Sequence, residues 1–355
     1  MFGLHPNAEI GYLTTMADTI FGTVLRLRKG ASSGGGGGAG SGLRGTLDEL
    51  LGRLPAGFEL ISLNEKAAPL LLQEQSPFVV VALQEFGRMN SLLEEIGRSL
   101  IELQKGINGQ LNMSQKMEDL AEALGLNEVP GRNPFHLTSW EKLAWPSRKN
   151  LPNWFNDMLK RVTQLRAWSQ TLELPFSLWL PGLFNPTAFL TAVKQVVARR
   201  NGLPLDNMAT ETHITIYTRE QEVISQAKYP TDGAYVHGLF IEGARWSTLE
   251  EAEEAKTKEN VSGTECAGSI VESRLKELLP MMPVIYVKAV QVKPSWIAES
   301  VGYMRPETSL YNCPVYLTTF RGPTYTCLAT LKTKLPIEKW VLAGVALVMQ
   351  SDGEA

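Results

Sequence analysis

The sequence has few residues that could form covalent cross-links or carry the protein through a membrane. It contains only three cysteines in 355 residues, Cys266, Cys313 and Cys327, an odd number at wide spacing that indicates free thiols in a reducing compartment. The longest apolar stretch, residues 278–287, has about ten residues and two prolines, whereas a transmembrane helix needs roughly 20. At the N-terminus no basic segment precedes an apolar one, so we expect no secretory signal.

An excess of charge of either sign is also absent. The 34 Lys and Arg residues nearly balance the 37 Asp and Glu residues, for a net charge of −3, so no overall basic field would attract nucleic acid or an anionic membrane. The four histidines are dispersed, and no two lie at metal-ligand spacing from each other or from a cysteine. Neither a Gly-x-Ser-x-Gly elbow nor a His-Glu-x-x-His motif occurs. These absences predict no catalytic centre, metal or cofactor in these 355 residues.

One segment approaches the spacing of a phosphate-binding loop. Residues 40–46 read Gly-Ser-Gly-Leu-Arg-Gly-Thr, but a Walker loop needs lysine directly before the hydroxyl residue, where this sequence has Gly45, and a strand ahead of it. The segment overlaps the Gly- and Ser-rich tract of residues 31–45, whose composition predicts a flexible surface loop. Thr46 and Glu49 then have the spacing of a capping box, which predicts that a helix begins there.

The first half of the sequence has helical periodicity. Its longest helix is predicted to start at Ser76-Pro77, a favourable N-cap and first-turn pair, and to carry apolar residues at heptad spacing. The heptad positions are Val79, Ala82, Phe86, Met89, Leu93, Ile96, Leu100, Leu103 and Ile107. We interpret this seam as a spine buried against neighbouring helices, the alternative being a free coiled coil. Further helices are predicted over residues 8–27, 114–124, 138–144, 152–169 and 186–200.

After about residue 210 the apolar period changes from helical to strand-like. Segments rich in Val, Ile, Tyr and Thr predict strands over residues 213–218, 234–242, 284–292, 314–320, 325–333 and 340–350. One helix, residues 270–279, is predicted among them, and residues 321–324 predict a hairpin turn. Because crossover helices are otherwise lacking, we expect mainly antiparallel pairing in a barrel or sandwich. The predicted fold class is therefore α+β, with the helices first.

Three groups of residues are candidate functional features. Five tryptophans within residues 140–179 are interleaved with basic residues, a pattern that could stack on single-stranded nucleic acid, although core packing is the favoured interpretation. His213, His237 and Cys313 lie on or beside predicted strands, and an enzyme site assembled from them is a further alternative. The acidic segment of residues 248–269 indicates a solvated insertion loop between two strands.

Six sequence blocks follow one another from the N-terminus to the C-terminus. They are Phe2–Ile10, Trp140–Ser147, Pro181–Leu190, Asp232–Trp246, Cys313–Tyr316 and Trp340–Leu347. Together, and in this order, they resemble the C-terminal region of dynein heavy chains. The fourth block, Asp-Gly-Ala-Tyr-Val-His-Gly-Leu-Phe-Ile-Glu-Gly-Ala-Arg-Trp, is similar to the family pattern D-G-V-Y-V-x-G-L-x-x-x-G-A-x-W almost throughout. Residues 320–325 and 340–344 resemble axonemal rather than cytoplasmic dyneins. Among the axonemal dyneins, they resemble those of the outer arm.

The resemblance implies a fold and a domain division. A helical subdomain, residues 1–208, would follow the last AAA+ module of a motor ring. An incomplete six-stranded antiparallel β-barrel, residues 209–355, would come after it. His5, Asn7 and Glu9 would lie at the junction with the ring.

The resemblance also implies a role. The protein would be a non-catalytic structural and regulatory domain that packs on the AAA+ ring of its own heavy chain and tunes ATP-driven motility on microtubules. ATP and Mg would bind elsewhere in the parent motor, which would also bind other dynein subunits in the axoneme of a cilium or flagellum. Neither nucleic acid nor membrane is an expected partner. The alternative function is a stand-alone β-barrel module that binds a ligand or nucleic acid.

Overall fold

The polypeptide forms two compact units. The sheet unit comprises Met1–Leu13, Lys66–Val81 and Thr171–Ala355, and the helical unit comprises Thr14–Glu65 and Ala82–Gln170. The structure, a computed structural model, describes residues 10, 13–14, 16–17, 20–21, 39–74, 76–131, 140–247, 268–299, 302–304 and 309–349. The predicted subdomain boundary after residue 208 is a different division, and it stays a prediction.

Six helices contribute to the described part of the helical unit, besides the helical residues 14, 16–17 and 20–21. They are α1 (Ala39–Arg53), α2 (Leu60–Ala67), α3 (Ser76–Ile107), α4 (Gln115–Gly125), α5 (Trp140–Leu143) and α6 (Leu151–Thr171). The seam of α3 is buried, with Phe86, Met89 and Ile96 each 0% exposed, which confirms the prediction of a spine that packs against neighbours. Within the described ranges, no helix combines the length and hydropathy that a membrane span requires.

The start of α1 corrects the prediction for the Gly- and Ser-rich tract. The sequence predicts a loop through residue 45 and a helix start at Thr46, yet α1 begins at Ala39. Thr46 lies inside the helix, where its Oγ1 donates to the carbonyl oxygen of Gly42 at 3.2 Å. The helix persists because Leu47 and Leu50 are buried, at 1% and 5% exposure. Packing of this apolar face outweighs the low helix propensity of glycine, about 1 kcal/mol per residue.

In its described residues, the sheet unit contains two four-stranded sheets, two two-stranded sheets and three α-helices of its own. Its strands are β1 (Ser177–Trp179), β2 (Met208–Ile214), β3 (Gly233–His237), β4 (Phe240–Glu242), β5 (Arg245–Trp246), β6 (Ile270–Val271), β7 (Ile285–Gln291), β8 (Ile297–Glu299), β9 (Gly302–Met304), β10 (Leu310–Tyr316), β11 (Tyr325–Lys332) and β12 (Ala346–Val348). The helices are α7 (Pro186–Asn201), α8 (Glu220–Gln226) and α9 (Ile337–Leu342). The sheets have the strand orders β1-β3-β7-β2 and β11-β10-β12-β4.

The α+β class is confirmed, but the prediction of a six-stranded antiparallel barrel is wrong. In the part of the protein that the structure describes, no barrel closes, and both sheets mix parallel with antiparallel pairs. β1 runs parallel to β3, and β12 runs parallel to β10. The parallel pairing of β12 with β10 has a local cause. Residues 337–342, which overlap the start of the strand predicted over residues 340–350, form α9 instead, and this helix returns the backbone to the side of β10. β1 has three residues, too few to show a strand period in the sequence.

The helix predicted over residues 270–279 is also wrong. Ile270 and Val271 form β6, which pairs antiparallel with β5 through Trp246 and Arg245. The side chain of Ile270 is 1% exposed, and this residue also bridges to Thr333 beyond β11. Burial across these strands outweighs the capping pattern that suggested a helix, because intrinsic helix preferences amount to less than about 1 kcal/mol per residue.

Helix α7 begins where the sequence predicts. Oδ1 of Asn185 accepts a hydrogen bond from the backbone N–H of Ala188 at 3.1 Å, and Pro186 occupies the first turn. The helix ends at Gly202, whose φ of 62° is the left-handed conformation that a side chain disfavours. Its buried residues include Phe189 and Val193, and it packs against β2, β3 and β7 of the first sheet.

One threonine side chain joins the edges of the two sheets. Oγ1 of Thr212, on β2, donates to the carbonyl oxygen of Thr330 on β11 at 2.7 Å and accepts from its N–H at 2.6 Å. The hydroxyl thus replaces the backbone hydrogen bonds that a continuous sheet would form at this seam. Because both backbone groups of Thr330 depend on it, loss of this hydroxyl would leave two polar groups without a partner.

We predict that Thr212→Val lowers the free energy of unfolding by about 1–3 kcal/mol. Valine preserves the shape of threonine but can neither donate to nor accept from the backbone of Thr330. Thr210→Val is the matched control, because Thr210 lies two residues earlier on the same strand and face. Urea unfolding of both variants would show the difference. Equal stability losses would contradict a specific role for the Thr212 hydroxyl.

Candidate functional site

The residues predicted for the junction with the ring lie outside the described part of the protein. These are His5, Asn7 and Glu9, so their assignment stays a prediction. Residues 248–267 of the predicted insertion loop also lie outside it, and residues 268–269 lead into β6.

The structure does not bring His213, His237 and Cys313 together. His213 lies on β2 opposite Tyr286 of β7, and His237 lies on β3, on the far side of β7. Two strand spacings, about 10 Å, separate β2 from β3. Cys313 lies on β10 in the other sheet, where burial raises the pKa of its thiol. Within the residues that the structure describes, no three His, Cys, Asp or Glu side chains form a metal-binding group.

His237 instead belongs to a row of three polar side chains that the sequence did not predict. Its Nδ1 lies 3.0 Å from Oγ of Ser177 on β1, and its Nε2 lies 3.7 Å from Oε2 of Glu220 on α8. Burial lowers the pKa of His237 from 6.5 to about 4, so the ring is neutral at pH 7. Although the residue types match a hydrolytic triad, Ser177 is only 6% exposed. The hydrogen bond between Ser177 and His237 therefore joins β1 to β3, and Glu220 of α8 lies beside the neutral imidazole without an ion pair. No sequence motif marks this row, since the three residues come from distant segments.

We predict that His237 makes the protein sensitive to acid. Its folded-state pKa lies below the unfolded value, so the unfolded state binds more protons between pH 6.5 and 4. Stability is full above pH 6.5 and falls by up to about 3 kcal/mol as the pH drops toward 4. Urea unfolding at several pH values should show this loss for the wild type and for Ser177→Ala, which keeps the buried imidazole, but not for His237→Gln. Parallel pH profiles for wild type and His237→Gln would contradict the assignment.

Four of the five tryptophans in this group are packing residues, as the favoured interpretation predicts, and Trp179 is half-buried. In the helical unit Trp140, Trp145, Trp154 and Trp168 are at most 3% exposed. The rings of Trp140 and Trp154 stack with their centroids 6.2 Å apart, and those of Trp145 and Trp154 stack at 5.3 Å. Nε1 of Trp140 donates to Oγ of Ser99 at 2.9 Å. Rings this deeply buried present no face to nucleic acid, so these four tryptophans give no support to the nucleic-acid alternative.

A buried cation lies against this tryptophan group. The guanidinium of Arg161, which is 0% exposed, lies 3.8 Å from the ring centroid of Trp145. Its Nε and Nη2 each donate to Oδ2 of Asp157 at 3.3 Å. Lys149 Nζ approaches the other oxygen of Asp157 at 3.3 Å. Burial lowers the pKa of Arg161 to about 10, an effect that Asp157 opposes, so the side chain is charged at neutral pH. It is held by an ion pair and a cation–π contact.

We predict that Arg161→Ala lowers the free energy of unfolding by about 3–5 kcal/mol, because it leaves Asp157 buried without its main partner. Arg98→Ala is the matched control. Arg98 also has a partner four residues away, Glu102, as well as Glu95, but its side chain is 51% exposed. Loss of exposed pairs should cost at most about 1 kcal/mol. Chemical denaturation of the two variants compares them directly, and equal losses would contradict the role given to Arg161.

The sheet unit has an open cavity of about 340 Å³ beside the start of α3. Its polar lining includes Glu74, Glu173 and Tyr229. Glu74 forms an ion pair with Arg200, with Nε and Oε1 2.6 Å apart. The hydroxyl of Tyr229 donates to the carbonyl oxygen of Leu174 at 2.9 Å. Burial, with a smaller contribution from Glu173, raises the pKa of this tyrosine. Glu74 and Tyr229 are thus engaged with the protein itself.

Exposed apolar side chains occur in the β10–β11 turn and on α9, beside the second sheet. We define the α9 patch as Phe320, Val341 and Leu342, which are 69%, 61% and 67% exposed. Phe320 precedes Arg321 in the β10–β11 turn, and Leu342 ends α9, two residues before Gly344. A Cβ atom placed on Gly344 would lie 3.5 Å from Nη1 of Arg321, so the side chain of Arg321 reaches the end of α9.

The framework under the α9 patch is fixed by buried and paired groups. Trp340 is 1% exposed, and its Nε1 donates to Oγ1 of Thr333 at 2.6 Å. Nη2 of Arg321 lies 2.6 Å from Oε2 of Glu242 on β4. Successive helical residues are rotated by about 100°, so burial of Trp340 turns the two residues after it toward solvent. The sequence did not predict this surface, because the apolar run of residues 340–350 indicates a strand.

Comparisons with known proteins identify a family and several relatives of this protein. The family profile described as the C-terminal domain of the dynein heavy chain matches residues 14–349. The sequence is 41% identical over 99% of its length to dynein axonemal heavy chain 17 of Homo sapiens. It is also 41% identical over 99% of its length to a ciliary dynein beta chain of Heliocidaris crassispina. It is 39% identical over 98% of its length to the dynein beta chain of the flagellar outer arm of Chlamydomonas reinhardtii. These 355 residues span only 7% of the length of each of these relatives.

Proposed function

The chain belongs to the family of C-terminal domains of dynein heavy chains, and on this premise we propose that it is the structural and regulatory domain of an axonemal dynein heavy chain. The resemblance carried by its six sequence blocks is confirmed by this membership. The observation that carries the proposal is the family match over residues 14–349, combined with relatives of which these residues are only 7%. In these relatives, the matching segment is a small part of a much larger polypeptide.

In this proposal the domain acts within its parent motor. It packs on the AAA+ ring of the same heavy chain, while ATP and Mg bind elsewhere in the parent, which moves on microtubules with other dynein subunits. The names of the relatives, axonemal, ciliary and flagellar outer arm, support a location in the axoneme of a cilium or flagellum.

Regulation would follow from differential contact with the ring. If the domain contacts the ring better in one nucleotide state than in another, it shifts the equilibrium between those states by the difference in contact free energy. A difference of about 1.4 kcal/mol changes a population ratio tenfold. This mechanism needs no catalytic group in the domain, only a contact surface whose fit depends on the state of the partner.

We predict that deletion of this domain from the full-length heavy chain leaves ATP binding intact but changes microtubule gliding velocity or stall force. The change would reach about tenfold if the contact free energies of the two nucleotide states differ by about 1.4 kcal/mol. Nucleotide affinity and gliding would be measured on the same preparations. The control is a heavy chain that carries Arg98→Ala, a surface change within the domain. Unchanged motility after deletion would refute the regulatory role, and ATP hydrolysis by the 355-residue domain alone would refute the non-catalytic assignment.

A further inference from the structure

We propose that Asn108 is a site of spontaneous deamidation and that the fold protects the other Asn-Gly pair of the sequence. The two Asn-Gly pairs are Asn108-Gly109 and Asn201-Gly202. Asparagine is most reactive in this way when glycine follows it, because glycine has no side chain that obstructs the approach of its nitrogen to the asparagine amide. The reaction is independent of the function proposed above, because it is a chemical change of the domain itself.

The reaction needs only two groups of the protein and water. The backbone nitrogen of Gly109 bonds to Cγ of Asn108, while the bond between Cγ and Nδ2 breaks. Nδ2 leaves as ammonia with the proton that the glycine nitrogen gives up, and a cyclic succinimide remains. Attack of water on Cγ then breaks the new bond to nitrogen and gives aspartate, whereas attack on the backbone carbonyl carbon breaks the original peptide bond and gives isoaspartate. Both products carry a negative charge that asparagine lacks.

The two pairs lie in the same backbone motif. At each site the N–H of the glycine and the N–H of the next residue donate to carbonyl oxygens in the last turn of a helix, α3 or α7. The nitrogen-to-oxygen distances are 3.0 Å from Gly109 to Gly106, 2.8 Å from Gln110 to Lys105, 3.2 Å from Gly202 to Arg199 and 2.9 Å from Leu203 to Ala198. With φ of 71° and 62°, both glycines have the left-handed conformation of this helix cap. The backbone therefore holds the two glycine nitrogens alike.

The side chains of the two asparagines differ. Nδ2 of Asn201 donates to the carbonyl oxygen of Val197 at 3.0 Å, whereas the side chain of Asn108 has no hydrogen bond to any residue that the structure describes. Both asparagines are exposed, so access of water does not distinguish them. Before Asn201 can react, its amide must separate from Val197. Asn108 needs no such step.

Contacts of neighbouring side chains also hold the end of α7 more firmly than the end of α3. Two arginines in the last turn of α7 make short contacts, 2.6 Å from Nη1 of Arg199 to Oγ of Ser76 and 2.6 Å from Nε of Arg200 to Oε1 of Glu74. The contacts at the last turn of α3 are longer, 3.1 Å from Nε2 of Gln104 to Oδ1 of Asp48 and 3.4 Å from Nη2 of Arg44 to the carbonyl oxygen of Ile107. The cap that holds the nitrogen of Gly109 therefore opens more readily, and local opening makes this nitrogen available for reaction.

Conversion of Asn108 would weaken the end of α3. Aspartate would place a negative charge beside the last carbonyl groups of the helix, where the helix macrodipole disfavours it. Isoaspartate would lengthen the main chain ahead of Gly109, so the N–H groups of Gly109 and Gln110 would no longer meet their acceptors. Gly106 lies against α4, since a Cβ atom placed on it would lie 3.3 Å from the sulfur of Met117. Loss of the cap would therefore loosen this contact between α3 and α4.

Ageing of the folded protein tests the proposal. The protein would be incubated at neutral pH and physiological temperature, either folded or unfolded in urea, and then digested so that mass spectrometry counts aspartate and isoaspartate at positions 108 and 201. In the folded protein we expect Asn108 to react about tenfold faster than Asn201, and in urea the two rates should be similar. Asn108→Gln is the control, because glutamine does not form a succinimide, and it should leave the reaction at position 201 unchanged.

Two results would overturn the proposal. One is a rate at Asn108 that is equal to or below the rate at Asn201 in the folded protein. The other is a difference of the same size in urea, because the difference would then arise from neighbouring residues in the sequence rather than from the fold.

Hydrogen exchange tests the effect on α3. We expect Asn108→Asp to speed exchange of the N–H groups of Gly109 and Gln110 by about two- to fivefold, while Asn108→Gln, which adds no charge, leaves it unchanged. The N–H groups of Gly202 and Leu203, in the other cap, are the reference within each sample. Equal exchange in the two variants would contradict the weakening of this helix end.

Discussion

The buried indole of Trp340 determines the course of the last strand of the second sheet. α9 has only six residues, and a helix of that length does not form in water without tertiary contacts. Its one fully buried side chain is Trp340, which donates to Thr333 just beyond β11. With this ring in place the backbone returns along β10, and β12 enters the sheet parallel to β10 and antiparallel to β4. The mixed topology and the exposure of the α9 patch therefore have the same physical cause.

The fold could be predicted from the sequence where periodicity or capping is specific. The heptad seam of α3 and the Asn185-Pro186 start of α7 are patterns that few other structures satisfy. The segment after Trp340 is different, because a continuous apolar run fits a buried strand and a buried helix equally well. Gly344, at a φ of 66°, separates α9 from β12, but a single glycine in an apolar run does not reveal that break. The prediction of an antiparallel barrel is wrong in this segment because the sequence does not reveal the break between α9 and β12.

A second limit of prediction from the sequence concerns the exposure of side chains rather than secondary structure. Trp340 and Leu342 are both large and apolar, yet one is 1% exposed and the other is 67% exposed. Only the rotation of α9 about its axis distinguishes them, and that rotation depends on which residue packs against Thr333 and donates a hydrogen bond to it. Likewise, the contact of His237 with Ser177 depends on the parallel pairing of β1 with β3. Contacts between segments far apart in sequence leave no local pattern, so the sequence indicates the histidine but not its partners.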